Sequence, residues 1–139
     1  MSENSGEVKA GLGTTLYRGK REARGGGPVV GPSARALGVR PQVDIPVDHA
    51  GMVYPGTGGM SVAPNTPSNL PRHRRPSAYG GTGKDPVWSI QEQDLGSNLR
   101  YVPDAVPAPR HGVIEPAITM SFTAYQRALE TTAPYWIRQ

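Results

Sequence analysis

The sequence predicts a small α+β domain that is mostly β, with long loops and a single helix in the C-terminal region. Three observations carry this prediction: β-forming residues occur in short runs, only one stretch has helical periodicity, and glycine and proline are abundant. The chain has 18 Gly and 15 Pro among 139 residues, and residues of these two types interrupt regular structure. We therefore expect a modest core with connecting segments that are long for its size.

The N-terminal part of the chain predicts a tail, a strand and a loop. Residues 1–13 are polar and glycine-rich, which predicts a flexible tail and leaves 14–139 as a single domain. Residues 14–18 are rich in β-forming types and precede a glycine, so we expect a strand there. Residues 24–36 contain repeated Gly and Pro and predict a loop.

The middle of the chain is dominated by turn residues. Residues 43–47 alternate between apolar and polar types, but Pro46 restricts them to a short edge strand or an extended segment. Within 51–76 the pairs Pro-Gly and Gly-Gly predict turns, and residues 60–63 directly after them predict a short strand. Residues 65–76 predict an exposed basic loop.

The C-terminal part predicts two clear strands, a weaker one and the helix. Residues 87–90 alternate, residues 95–102 have moderate strand character, and a strand containing Val113 and Ile114 should end at Pro116. The helix is expected over 121–133, with Ser121 as its N-cap, an apolar face at helical spacing, and Pro134 as its stop (the face comprises Phe122, Tyr125 and Leu129).

Composition and charge limit the classes of function. The chain has no cysteine, which excludes disulfides and thiolate zinc sites, and favours a reducing cytoplasm as the place of action. No signal-peptide pattern or membrane-length apolar run occurs, so we expect no membrane anchor. Net charge is +4, with basic residues concentrated in 18–40 and 72–75, which suits either an anionic partner or a solvated basic face.

Two glycine-associated motifs offer groups that could bind a ligand. Arg18 follows Tyr17 at a strand end, where a guanidinium can contact phosphate or ribose; the alternative is an edge arginine in solvent. Gly58 and Gly59 precede Ser61 and would let a ligand approach the backbone, although a serine in a turn is common. Ser61 lacks a nucleophile-elbow motif and has no acid–histidine pair near it in sequence, so it is not expected to be a nucleophile.

A third motif supplies acid–base groups. If 111–115 is extended, His111 and Glu115 lie on one face and could perform general acid–base catalysis; the alternative is a hydrogen-bonded histidine and a surface carboxylate. Residues 91–94 offer a competing carboxylate in a turn. Residues 80–84 lack the spacing of a phosphate loop, and the three histidines are too far apart in sequence to suggest a metal site.

Together these motifs resemble a small family of bacterial type VI secretion effector toxins, the second exported effector family. The resemblance runs from about residue 14 to 130. Its most specific part is the Pro-x-Thr-Gly-Gly-x-Ser-Val stretch, and its other parts occur in the same order (15–18, 54–62, Trp88, Leu95, Leu99, His111-x-x-Ile-x-Pro-Ala-x-x-Met, 122–129).

The resemblance implies a reduced, split-sheet ADP-ribosyltransferase-like fold and a pocket for NAD as substrate. It implies a toxin used in bacterial competition, delivered into the target-cell cytoplasm without a signal peptide, carried by a secretion machine and acting on a macromolecular target. A cognate immunity protein, expected to be acidic, would neutralise it. By position, Arg18 would anchor the nucleotide, Ser61 would stand for the Ser-rich second motif, and His111 would be the late pocket residue. Beside them we expect Tyr17, Gly58 and Gly59 to bind NAD, and Glu115 to be catalytic with Ser61 and His111.

The chain departs from classical ADP-ribosyltransferases in its second motif, which has one serine, and in lacking a clear Gln-x-Glu or Glu-x-Glu. Cleavage of the nicotinamide–ribose bond builds positive charge on the sugar, which a carboxylate should stabilise. Two other functions stay open: a small basic ribonuclease-like toxin with His111 and Glu115 as acid and base, and a non-enzymatic interaction protein.

Overall fold

A computed structural model describes residues 13–139 of the chain; apart from Gly13, the predicted N-terminal tail lies outside this range. The main element is a six-stranded sheet with strand order β5-β6-β3-β1-β4-β8, in which all neighbours are antiparallel. Its strands are β1 (Thr15–Gly19), β3 (Met60–Pro64), β4 (Val87–Gln91), β5 (Leu99–Pro103), β6 (Gly112–Pro116) and β8 (Ile137–Arg138).

A second, two-stranded sheet pairs β2 (Met52–Val53) with β7 (Met120–Ser121), and β7 leads directly into helix α1 (Phe122–Thr131). Within the described residues the protein is therefore a small α+β domain with a mostly antiparallel sheet and one α-helix, as the sequence predicted. No helix in this part of the chain is long and apolar enough to cross a membrane.

The predicted strands are present, and the largest shift is at β5, which begins at Leu99 and not at residue 95. The segment 43–47, predicted as a short edge strand or an extended segment, is not a strand. It contributes only an isolated bridge between Pro41 and Ile45, because its backbone groups bond within a local turn, as in the 2.8 Å bond from Gln42 N–H to Ile45 O. The two-residue strands β2, β7 and β8 were not predicted, because they are too short for alternation to be visible in the sequence.

Helix α1 begins as predicted and ends earlier than predicted. The Ser121 hydroxyl caps it by accepting the Ala124 N–H at 3.0 Å. The helix ends at Thr131, and Pro134 instead lies in a short 3-10 helix (Ala133–Tyr135). Proline disfavours the α conformation at the residue before it and clashes with the carbonyl four residues back, so the last α-helical turn closes ahead of it.

The main core lies between one face of the large sheet and α1. Apolar residues from four strands pack there against Tyr125 and Leu129 of the helix, all of them almost fully buried (Leu16, Met60, Ile90 and Ile114 among the strand residues). The Tyr125 hydroxyl donates to Ile114 O at 2.5 Å and accepts the Met60 N–H at 3.2 Å. Tyr125 thus fixes the helix to the adjoining strands β3 and β6.

The segment 65–76, predicted as an exposed loop, is partly packed onto the opposite face of the sheet. It continues into residue 79 and forms three short 3-10 helices (Pro67–Asn69, Arg72–Arg74 and Ser77–Tyr79). Leu70 is 5% exposed and packs in a small cluster with Ala63 and Val87. One buried leucine thus anchors the segment, so the prediction of a fully exposed loop was wrong at this position.

Lys20 is an unexpected buried cation directly after β1. It is fully buried, its Nζ has no hydrogen-bond partner among the described residues, and it lies 3.0 Å from the centroid of the Trp136 ring. Burial, and secondarily the positive charge of Arg18, lower the pKa of Lys20 well below its ordinary value. The ring face offsets only part of the cost of removing the ammonium group from water.

Replacing Lys20 with methionine should therefore stabilise the protein at neutral pH by about 1–3 kcal/mol, the range for one buried polar group left without a hydrogen bond. The pKa of Lys20 is lower in the folded state than in the unfolded state, so between these two pKa values the unfolded state binds more protons. The contribution of Lys20 to the free energy of unfolding of the wild type should therefore rise as the pH increases from the lower pKa to the higher one.

Urea unfolding at about pH 6 and about pH 9 measures both effects, with the exposed Lys84→Met as the matched control. Lys20→Met should show a smaller rise in stability between these pH values than either the wild type or Lys84→Met. Equal pH dependence in all three proteins would contradict the assignment.

Candidate functional site

A cavity of about 480 Å³ opens between strands β1 and β3 and the 3-10 segment that follows Leu70. Its wall brings together residues from five separate parts of the chain (Arg18 and Gly19; Ala34, Arg40 and Asp44; 61–63; 69–75; Arg110 and His111). Arg18, Ser61 and His111, taken from three separate sequence motifs, all line this one cavity.

The cavity is strongly positive. Among the described residues, six arginines and two histidines line it, against the single acid Asp44 (the arginines are Arg18, Arg40, Arg72, Arg74, Arg75 and Arg110). Asp44 is already paired with Arg40, with Nη2–Oδ1 and Nε–Oδ2 distances of 2.9 and 3.1 Å. Partial burial raises the pKa of Asp44, but the hydrogen bonds and charge of Arg40 outweigh this and leave that pKa below its ordinary value. The net field therefore favours an anionic ligand.

Two of these arginines form no side-chain hydrogen bond and no ion pair with other described residues. Among residues 13–139, the side chains of Arg72 and Arg74 make no hydrogen bond, whereas Arg110 donates to Ser68 O at 3.0 Å. Glycines 81 and 83 let the backbone pack closely against residues 72–75, the arginine segment, because a Cβ at either position would collide with the main chain of that segment. Residues 80–84, which lack the spacing of a phosphate loop, thus support the arginine segment.

Ser61 and His111 meet at the cavity wall. The Ser61 Oγ lies 3.2 Å from His111 Nε2. Strand pairing explains the approach: Ser61 is opposite Val113, and His111 is two residues before Val113 on the same face. The two side chains are therefore diagonal neighbours across β3 and β6, a distance at which a hydroxyl and an imidazole can share a proton.

A third residue, Asp104, extends this contact and was not identified from the sequence. Its two carboxylate oxygens lie 3.0 and 3.1 Å from His111 Nδ1. Asp104 and His111 flank the connection between β5 and β6, and the Asp104 N–H donates to His111 O at 3.0 Å. The residues therefore form a chain from carboxylate to imidazole to hydroxyl, Asp104–His111–Ser61, of which only two members were predicted.

Arg18 is buried and hydrogen-bonded to the protein itself, whereas its predicted role as a nucleotide anchor requires a guanidinium that is free to bind a ligand. It is 8% exposed and its guanidinium donates to backbone carbonyls, chiefly Ser61 O at 2.8 Å, Ala36 O at 3.1 Å and Ala34 O at 3.2 Å. Burial lowers the pKa of Arg18 to about 10, which leaves it charged at neutral pH. It therefore holds the Ser61 backbone and the 34–38 loop while adding positive charge to the cavity wall.

The other predicted site residues do not line the cavity. Glu115 is 2% exposed, and its carboxylate accepts the Gly56 N–H at 3.0 Å and Arg100 Nε at 2.6 Å. Tyr17 packs against the small Leu70 cluster. A Cβ at Gly58 would collide with Asp44 O, and one at Gly59 with Ile114 O, so the close approach predicted for a ligand is made by the chain itself.

No family model matches the chain, and comparison with curated proteins and with solved structures also found no match. Within the described part of the chain, no cluster of three or more His, Asp or Glu residues is arranged to hold a metal ion. The cavity offers the charge of its arginines together with the Asp104–His111–Ser61 chain.

Arg18→Lys should destabilise the protein by at least about 2 kcal/mol, because a single ammonium group cannot satisfy the buried carbonyls that the guanidinium fork reaches. Urea unfolding measures this loss. Arg72→Lys is the matched control, since it is an exposed arginine on the same cavity, and its stability should change by less than about 0.5 kcal/mol. Equal stabilities for the two variants would show that Arg18 has no supporting role.

Proposed function

We propose that this protein is an NAD-consuming bacterial toxin with a reduced, split-sheet ADP-ribosyltransferase-like fold, acting in the cytoplasm of a target cell. The observation that carries the proposal is the 3.2 Å contact between Ser61 and His111 on an arginine-lined cavity. The resemblance to type VI secretion effectors assigned these two residues to the same NAD pocket from motifs 50 positions apart. Two residues that the resemblance places in one pocket thus lie together on one cavity, and this supports the proposal.

The charge of the cavity suits the diphosphate of NAD. Arg72, Arg74 and Arg110 would contact the phosphates, since guanidinium groups form strong, directional hydrogen bonds with phosphate oxygens. The nicotinamide ribose would then lie toward Ser61 and His111, where a hydroxyl and an imidazole can bond its hydroxyl groups. In this orientation the bond to be broken faces the Asp104–His111–Ser61 chain.

Breaking that bond leaves positive charge on the ribose, which a negative group must stabilise. Glu115 is held by Arg100 and Asp44 by Arg40, so Asp104 is the carboxylate whose hydrogen-bonded chain reaches the cavity. In the proposed reaction the bond between nicotinamide and the anomeric carbon of the ribose breaks, and nicotinamide leaves as a neutral molecule with the bonding electron pair. The nucleophile, which is water in NAD hydrolysis or a side chain of a macromolecular target in ADP-ribosyl transfer, forms a new bond to that carbon, and His111 accepts its proton. Both reactions share the same bond-breaking step.

The partners follow from the same proposal. A secretion-machine carrier would deliver the toxin, and a cognate acidic immunity protein would cover the cavity in the producing cell. Opposite charges across such an interface would speed association and make it sensitive to salt.

A ribonuclease-like function has a weaker basis in the geometry. It was predicted to use His111 and Glu115 as acid and base, but Glu115 is buried in its pair with Arg100. The arginines could still contact a phosphodiester, so loss of cellular RNA without loss of NAD is the outcome that would favour this alternative. A non-enzymatic interaction protein would show neither loss.

His111→Ala and Ser61→Ala should each reduce growth inhibition and NAD loss in bacteria at least 10-fold, because each removes a group from the proposed reaction centre. Lys84→Ala is the control and should remain fully toxic, since Lys84 lies outside the cavity lining. Cellular NAD and RNA are measured after induction, and circular dichroism establishes that each variant is folded. Full toxicity of folded His111→Ala would overturn the proposal.

Reversing the charge of the arginine segment should weaken NAD binding. In Arg72→Glu/Arg74→Glu the dissociation constant should rise at least 10-fold at low salt, and the difference from wild type should shrink as salt increases. Arg127→Glu, an exposed arginine on α1, is the matched control and should bind like wild type. Isothermal titration calorimetry gives the constants; unchanged binding by the double variant would exclude these arginines as the phosphate contacts.

A further inference from the structure

Asp104 holds the His111 ring from the side opposite Ser61. Both carboxylate oxygens are within 3.1 Å of Nδ1, whereas Nε2 is the nitrogen that faces the Ser61 hydroxyl. Both contacts are made by the same imidazole ring, so the group that bonds to Nδ1 determines whether Nε2 donates or accepts a hydrogen bond.

The chemistry of the three groups sets the direction of the hydrogen bonds in the neutral imidazole. An ionised carboxylate only accepts hydrogen bonds, so Nδ1 must carry the proton that it receives. Nε2 is then an acceptor, and the Ser61 hydroxyl donates to it. Without Asp104 the ring could carry its proton on Nε2, and Nε2 could no longer take a proton from Ser61 or from a nucleophile beside it.

The backbone fixes Asp104 in this position. Pro103 pairs with Gly112 as the last residues of the β5–β6 ladder, and one step further the Asp104 N–H donates to His111 O. Asp104 and His111 are therefore held by a backbone bond as well as by their side chains. This matters because both side chains are about half exposed, and an unsupported surface contact of that kind would be weak.

We propose that Asp104 is a positioning residue, which keeps the proton of neutral His111 on Nδ1 and directs Nε2 toward Ser61 as a proton acceptor. The effect of Asp104 on activity rests on the proposed function, because it requires that His111 accept a proton in the reaction. Its effect on the imidazole needs no substrate and can be measured in the free protein.

The test is a nitrogen-15 NMR measurement of the His111 ring at a pH where the ring is neutral, on full-length protein made by cell-free synthesis. Wild type should show the Nδ1–H form. Asp104→Asn should shift the ring toward the Nε2–H form, because the asparagine amide can donate to an unprotonated Nδ1. Asp104→Glu keeps a carboxylate and should restore part of the wild-type spectrum, and Asp94→Asn is the control for the loss of one negative charge.

The same variants are assayed for NAD consumption. Asp104→Asn should lose at least 10-fold in rate with an unchanged urea unfolding midpoint, Asp104→Glu should recover part of that rate, and Asp94→Asn should match wild type. An unchanged ring spectrum in folded Asp104→Asn, or its full activity beside an active wild type, overturns the proposal. A shifted spectrum in a protein whose wild type consumes no NAD supports the positioning role and overturns only the NAD reaction.

Discussion

The arrangement of the cavity depends on one buried guanidinium. The Arg18 side chain extends from β1, and its guanidinium donates to the Ser61 carbonyl on β3 and to carbonyls of the 34–38 loop. Paired residues of β1 and β3 extend only from Leu16–Pro64 to Tyr17–Ala63, and Arg18 makes its contact with Ser61 beyond them. A side chain thus replaces the backbone ladder at the point where the cavity opens.

The hydrogen bonds of Arg18 leave its positive charge in place beside the cavity. Neutral carbonyls satisfy the hydrogen bonds of Arg18, and no carboxylate contacts its guanidinium among the described residues, so its charge is not cancelled there. The cavity wall therefore combines a fixed, buried positive charge with exposed arginines, a distribution that favours a ligand with more than one negative charge.

The proposed site separates two tasks between two kinds of structure. Ser61 lies on a central strand, and Asp104 and His111 flank the hairpin beside it, so the groups expected to perform chemistry are held by strand pairing. The arginines expected to bind the ligand are mostly on the 3-10 segment, which is anchored by Leu70 and by close packing at glycines 81 and 83.

The sequence by itself determined the fold class, the central strands, the start of α1 and two members of the hydrogen-bonded chain. These features depend on local properties: alternation, helical spacing, a capping serine and turn residues. Tertiary structure alone decided that Asp104 contacts His111, that Glu115 is taken by Arg100, that glycines 58 and 59 pack on the chain, and that Leu70 anchors the arginine segment. Each of these depends on contacts between distant segments. The contact between Ser61 and His111 also depends on strand register, because a one-residue change would turn one of the two side chains to the other face of the sheet.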